Sequence, residues 1–140
     1  MIKVEIPGRG LLEIENVLLD FNGTLAEDGR VPPSTRERLR LLAERCALYV
    51  LTADTYGTAR AECAALPVLM EIFEGEGVAE EKRKTVQRLG AERCCCIGNG
   101  YNDVKMFQAA ALQADILVRS IDSALELLLK PERIKADLRS

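Results

Sequence analysis

With 140 residues, 48% of them hydrophobic and 29% charged, the chain suits one folded domain around one core. A net charge of only −3 gives no broad electrostatic basis for binding nucleic acid or an anionic membrane, and no apolar run approaches the roughly 20 residues needed to span a bilayer. Met1-Ile2-Lys3-Val4-Glu5 alternates in character and lacks a continuous apolar signal core, so the expected location is the cytoplasm.

The chain opens as a hairpin: strand Ile2–Ile6, a turn at Pro7-Gly8-Arg9-Gly10, and strand Leu11–Glu15. The unbroken apolar run Val17-Leu18-Leu19 then predicts a strand buried on both faces, ending at Asp20. Gly23 and Glu27-Asp28-Gly29 punctuate a loop. Pro32-Pro33-Ser34 marks a helix start, with Leu39, Leu41, Leu42 and Cys46 as its apolar face. Ala47–Leu51 is a second buried strand, ending at Thr52, and a helix follows to about Leu66. A strand near Val68–Phe73 precedes Gly75 and Gly77, which break the chain before a helix over Ala79–Leu89 closed by Gly90. Arg93–Ile97 is a strand ending at Gly98, followed by a helix from Asp103 to Leu112 and a short strand at Asp115–Val118. An amphipathic helix from Ser120 to Leu129 is interrupted at Pro131. Strands alternating with helices predict a three-layer α/β fold with a mostly parallel sheet, built as one domain over residues 1–140.

Cys94, Cys95 and Cys96 are consecutive in a strand, so their side chains must alternate between faces and cannot converge on one zinc ion. Cys46 and Cys63 lie in separate segments outside any C-x-x-C pair, and all five cysteines are expected to be reduced core residues. Histidine is absent, which removes the usual general base.

In open α/β sheets, ligands bind beyond the carboxyl ends of the strands. Three predicted strands end in polar residues: Asp20, Thr52 and Gly98-Asn99-Gly100. Taken singly, each has an ordinary structural explanation as a turn or cap residue. Parallel strands would nevertheless bring a carboxylate, a hydroxyl and a glycine-rich loop to one edge of the sheet.

Asp20-Phe21-Asn22-Gly23-Thr24-Leu25 resembles the first motif of the haloacid dehalogenase (HAD) superfamily. Val50-Leu51-Thr52 is similar to the second motif, whose Thr or Ser holds a phosphoryl oxygen. Lys82, with Val86 and Leu89 after it, looks like the third-motif lysine, although Lys84 stands only two residues away. Ile97-Gly98-Asn99-Gly100-Tyr101-Asn102-Asp103 is similar to the acidic fourth motif. Within the superfamily, the D-x-x-G-T and G-x-G-x-N-D patterns are most similar to P-type ATPase phosphorylation domains and soluble P-type-ATPase-like proteins. The resemblance covers nearly the whole chain and implies a Rossmann-like HAD fold.

The resemblance implies that Asp20 is a nucleophile forming an aspartyl-phosphate, which divides a difficult displacement into two easier steps. Two anions repel, so the attack needs a cation, and Mg²⁺ prefers hard oxygen ligands. Asp20, the Asn22 backbone carbonyl and the acidic loop, through Asn99 and Asp103, would hold it. Thr52, Asn102 and the backbone amides around Phe21–Gly23 would bind the phosphate, and Lys82 would balance its charge.

Two positions depart from the pattern. Many phosphatases of the superfamily carry a second Asp two residues after the nucleophile, as acid and then base, and here the position is Asn22. An amide does not exchange a proton in this way near neutral pH, so a general acid–base contribution of about 10²–10⁴-fold should be missing. Asn99 replaces the first acid of the fourth motif and brings no negative charge, so Mg²⁺ should bind more weakly than in a three-acid site. About thirty residues separate Asp20 from Thr52, and a similar number separate Thr52 from Lys82, which leaves no room for an inserted cap domain. The turn at Glu27-Asp28-Gly29 could serve only as a small flap.

The implied activity is a slow Mg²⁺-dependent phosphohydrolase. An open site favours a bulky or protein-borne phosphate as partner, or a homo-oligomer in which a neighbouring subunit forms the lid. The alternative is a catalytically weak regulatory or binding module with the same fold, which both Asn22 and Asn99 would suit. No G-x-x-x-x-G-K-[ST] loop is present to grip a nucleotide.

Overall fold

The computed structural model describes residues 1–53, 57–73, 77–98 and 120–138. Its first two strands, β1 (Ile2–Ile6) and β2 (Gly10–Ile14), pair antiparallel with Ile2 opposite Ile14. Period-two alternation sets the hairpin's buried face: Ile2, Val4, Ile6 and Ile14 are buried, while Lys3 and Glu5 are exposed. β3 (Asn16–Asp20), β4 (Ala47–Thr52), β5 (Leu69–Ile72) and β6 (Cys94–Ile97) form a parallel sheet in the order β5-β4-β3-β6. Asn16, Val17, Leu18 and Leu19 are all buried, as expected for a central strand covered on both faces.

The alternate residues of β3 enter two different cores. Val17 and Leu19 join Leu48, Val50 and the hairpin in one cluster. It also takes in Leu39 and Leu42 of α1 (Pro33–Leu42), Ala59 and Cys63 of α2 (Thr58–Cys63), and residues of the two C-terminal helices, α4 (Ile121–Leu129) and α5 (Pro131–Leu138). Leu18 and Leu51 face the other way, where they pack with Val86 of α3 (Val78–Leu89) and with Cys94. The sheet therefore lies between two helical layers, with α3 covering the side on which Leu18 and Leu51 point. Cys94, Cys95 and Cys96 follow the same alternation: Cys94 and Cys96 belong to the α3 side and Cys95 to the opposite one. All five cysteines are free. Burial pushes the Cys94 thiol up to about 11 and the Cys95 thiol up to about 12, so both stay protonated near neutral pH.

Three details differ from the sequence-based expectation. Leu41 is 47% exposed, because Thr35, Leu39 and Leu42 share one face and position 41 falls off it. α2 ends at Cys63 and does not reach Leu66, since the residue before Pro67 is driven out of helical geometry. Pro131 does interrupt the helix after α4 (Ile121–Leu129), yet it also opens a further one, α5 (Pro131–Leu138). A ring with fixed φ suits a first helical turn, where no backbone N–H is required.

The loop from residue 21 to 32 joins β3 to α1, and α2 follows β4 closely. Among the described residues neither interval holds an inserted domain. Also among the described residues, no helix is long and apolar enough to cross a membrane. The helix expected over Asp103–Leu112, the strand expected at Asp115–Val118 and the break at Gly75 lie outside the described residues.

Candidate active site

Asp20 is the last residue of β3 and is level with Leu51, which places Thr52 one residue further along the adjacent strand. On the other side Leu19 pairs with Ile97, so β6 reaches the same edge just before Gly98. Thr52 is buried, and its carbonyl accepts a hydrogen bond from the Phe73 amide at 2.9 Å, which ties in the end of β5.

The Lys82 Nζ donates to Asp20 Oδ1 at 3.2 Å, with side-chain exposures of 4% and 16%. α3 accounts for this placement. Val86, one turn beyond Lys82, packs with Leu18 and Leu51, so the same helix face presents Lys82 to the strand end. Lys84 points away: it is 63% exposed and pairs with Glu81 at 3.5 Å. Of the two candidate lysines, the sheet meets Lys82. A buried ion pair adds little net stability, because desolvating both charges offsets much of their attraction. What it provides is a held carboxylate next to a held cation at the open end of a strand.

The segment after Asp20 is a closed turn. The amides of Thr24 and Ala26 donate to the Phe21 carbonyl at 3.3 and 3.0 Å, and the Leu25 amide donates to the Asp20 carbonyl at 3.4 Å. Phe21, Leu25 and Ala26 are buried and anchor it, leaving Asn22 and Gly23 exposed. The Gly23 amide donates to the Ala26 carbonyl at 3.2 Å, so it already serves the turn that was expected to offer it to phosphate. Among the described residues, no backbone amide donates to the Asn22 carbonyl. That carbonyl oxygen and the Asp20 carboxylate are hard donors, and this chemistry fits Mg²⁺. Among the described residues no group of three His, Cys, Asp or Glu side chains completes a metal site. Asn99, Gly100, Asn102 and Asp103 lie outside the described residues.

Beyond Ala26 the chain forms a small flap. Glu27 and Arg30 exchange backbone hydrogen bonds at 2.9 and 3.1 Å around Asp28 and Gly29, whose φ angles are +52° and +79°. Left-handed geometry at both central positions explains the Asp-Gly pair. The base of the flap is fastened to α2 and α1: the Val31 amide donates to Glu62 Oε1 at 2.9 Å, and Arg36 Nε donates to the Val31 carbonyl at 2.9 Å. Arg36 also forms an ion pair with Glu62. The hydrogen bond from Val31, reinforced by Arg36, holds the Glu62 carboxyl below its ordinary value against the opposing effect of burial. Sequence inspection did not single out Glu62 or Arg36, because a contact between residues 26 apart leaves no local signature.

Comparison with known proteins agrees with this architecture. The family model described as "haloacid dehalogenase-like hydrolase" matches residues 8–111. An uncharacterized protein of Methanocaldococcus jannaschii is 51% identical over 39 residues, which are 28% of this chain and 89% of that protein. Among solved structures, the cobalt-bound deoxy-D-mannose-octulosonate 8-phosphate phosphatase of Haemophilus influenzae superposes with a TM-score of 0.69 at 15% identity, covering 91% of this chain and 94% of that one. The 3-deoxy-D-manno-octulosonate 8-phosphate phosphatase of Moraxella catarrhalis, in complex with a magnesium ion, a phosphate ion and a KDO molecule, gives 0.67 at 16% identity, covering 88% and 90%. At such identities these structures speak for the fold alone. The family match spans most of the chain, and it coincides with a parallel sheet whose central strand ends in a lysine-paired aspartate: the chain belongs to the haloacid dehalogenase-like hydrolases.

Proposed function

We propose that this protein is a Mg²⁺-dependent phosphohydrolase that works through an aspartyl-phosphate on Asp20 and releases the phosphate slowly. The observation that carries the proposal is the 3.2 Å contact between Asp20 and the buried Lys82 at the carboxyl edge of the sheet. Mg²⁺, held by Asp20, the Asn22 carbonyl and side chains of the 99–103 segment, would neutralise the incoming phosphate and polarise its oxygens.

The chain's own groups would do the rest. One Asp20 carboxylate oxygen bonds to phosphorus as the bond to the leaving oxygen breaks. Lys82 offsets the charge on Asp20 and on the transferring oxygens, and the Thr52 hydroxyl donates to one of those oxygens. Asn22 has no proton to give, so the leaving oxygen takes one from solvent. Esters with good leaving groups should therefore react far faster than alkyl phosphates. Water then attacks phosphorus, the bond to Asp20 breaks and the carboxylate is regenerated, again without a side-chain base at position 22. The exposed amide of Asn22 beside the nucleophile supports slow release. With no inserted domain among the described residues, a bulky or protein-borne phosphate is the substrate class we favour.

The same amide also supports a second assignment, a regulatory or binding module that takes up phosphate without useful turnover. Incubation with a small activated phosphate ester, with Mg²⁺ and with excess chelator, separates the two. Metal-dependent product formation beyond one equivalent supports the hydrolase. Uptake that stops at or below one equivalent supports the module, and no product in either condition rejects the enzyme.

A further inference from the structure

We propose that Glu71, acting through Thr85 and Arg88, is a positioning residue that sets Lys82 against Asp20; this rests on the phosphoryl-transfer role assigned to that pair. The starting point is the register of the sheet. Asp20 is level with Leu51, and Leu51 is level with Glu71, so the three lie in one row across β3, β4 and β5. Aligned residues of parallel strands point to the same face, and here that face is covered by α3. The row therefore presents two carboxylates to one helix, with the fully buried Leu51 between them.

α3 answers with Lys82, Thr85 and Arg88, which are spaced by three and form one ridge along the helix. Lys82 reaches Asp20 at 3.2 Å. The Thr85 hydroxyl is 3.0 Å from Glu71 Oε2, and Arg88 forms an ion pair with Glu71. Thr85 is itself buried, and its hydroxyl also lies 3.0 Å from the Glu81 carbonyl within the helix. Glu71 accounts for its placement there, because it is the external partner this hydroxyl meets.

The apolar contacts of α3 select the face that meets the sheet but leave its fine rotation and slide less sharply set. Val86 and Leu89 against Leu18, Leu51 and Tyr49 are non-directional and would tolerate small slides and turns of the helix. Hydrogen bonds are directional and short-ranged. The link to Glu71 is thus a second fixed point, one helical step from Lys82, and together the two points define how α3 sits on the sheet. With Glu71 lost, Lys82 is held less tightly against Asp20 and is more open to reagent.

The test uses the full chain and a measurement that needs no turnover. An amine-acylating reagent is applied, and labelling at each lysine is followed by mass spectrometry. In the parent protein Lys82 should label far more slowly than the exposed Lys84, Lys3 and Lys130. Glu71→Ala and Thr85→Val should raise Lys82 labelling by roughly three- to tenfold while leaving those three unchanged, and Thr85→Ser should restore the parent rate. Arg88→Met, at an exposed position, keeps the test valid if Glu71→Ala fails to fold, and it should raise Lys82 labelling by a smaller factor. Hydrolysis of an activated phosphate ester should fall with Thr85→Val by roughly 10- to 100-fold in kcat, with little change in KM, and recover in Thr85→Ser. Unchanged Lys82 labelling in folded Thr85→Val or Arg88→Met would overturn the positioning role, as would failure of Thr85→Ser to restore it. Failure of the phosphohydrolase assignment would look different: Lys82 labelling would respond as described while the parent protein formed no product.

Discussion

In the mechanism proposed above, a single amide at position 22 decides how far the chemistry proceeds. Asn22 is exposed within the turn that follows Asp20, where on this proposal a carboxyl group would exchange protons with the leaving group and with water. Asn22→Asp should accelerate turnover of an alkyl phosphate by about 10²-fold or more, because acid–base help matters most for poor leaving groups. Rates on paired activated and alkyl esters would check this, and a variant whose gain is equal on both would argue against the role. Lys82 is the second decisive residue. Lys82→Met keeps the bulk of the stem but removes the ammonium that pairs with the Asp20 carboxylate. The expected outcome is a fall in phosphoenzyme formation of about 10²–10³-fold and a loss of roughly 1–3 kcal/mol in urea unfolding. Residue types at Asp20, Thr52 and Lys82 were readable from the sequence because each falls at the end of an apolar strand or one turn from an apolar helix position. The choice of Lys82 over Lys84 was not readable: two residues of uncertainty in a helix start rotate the face by more than half a turn, and only the packing of Val86 resolves it.

At the scale of elements, α1 and α4 are joined by side chains, not only by Leu39 and Leu125 in the core. Asp122, in the first turn of α4, accepts hydrogen bonds from Ser34 and Thr35 at 2.6 Å each and lies 3.5 Å from Arg38. Burial works against its charge, but the two hydroxyls and Arg38 outweigh it, so the carboxyl is held below its ordinary value. A carboxylate with a depressed folded pKa contributes stability that is present above the unfolded value of about 3.9 and is lost as pH falls through the folded one. Asp122→Asn should therefore lower stability by roughly 1–2 kcal/mol at pH 7, and the gap from the parent should close below about pH 4. Urea unfolding at a series of pH values measures this, and a gap that persists in acid would contradict it. The helices and strands themselves were legible from periodicity and from Gly and Pro punctuation. The ties between them were not: Ser34 and Asp122 are 88 residues apart, and no local pattern announces that they meet.

For the whole molecule, the fold sets the order in which the motifs meet. The sheet order β5-β4-β3-β6 puts the strand of Asp20 between those ending at Thr52 and Ile97, while α3 covers the face toward which Leu18 and Leu51 point. A mostly parallel sheet could be anticipated from alternating strands and helices, whereas the strand order could not, and residues 8–111 match the family. A site shared by three strand ends and a helix should also link ligand binding to global stability. With phosphate held constant, Mg²⁺ near a hundredfold over its Kd should stabilise the protein by about 2.7 kcal/mol, a Tm rise of roughly 5–10 °C for a chain of this size. Excess chelator should reverse the rise in calorimetry, and a rise that survives the chelator would speak against the metal. The central claim concerns covalent chemistry at one residue. It is tested most directly by quenching the protein in acid after exposure to Mg²⁺ and an activated phosphate ester, then mapping the modified residue by mass spectrometry. A phosphoryl group on Asp20 that is absent in Asp20→Asn is the expected result; phosphate carried elsewhere, or carried equally by Asp20→Asn, would contradict it.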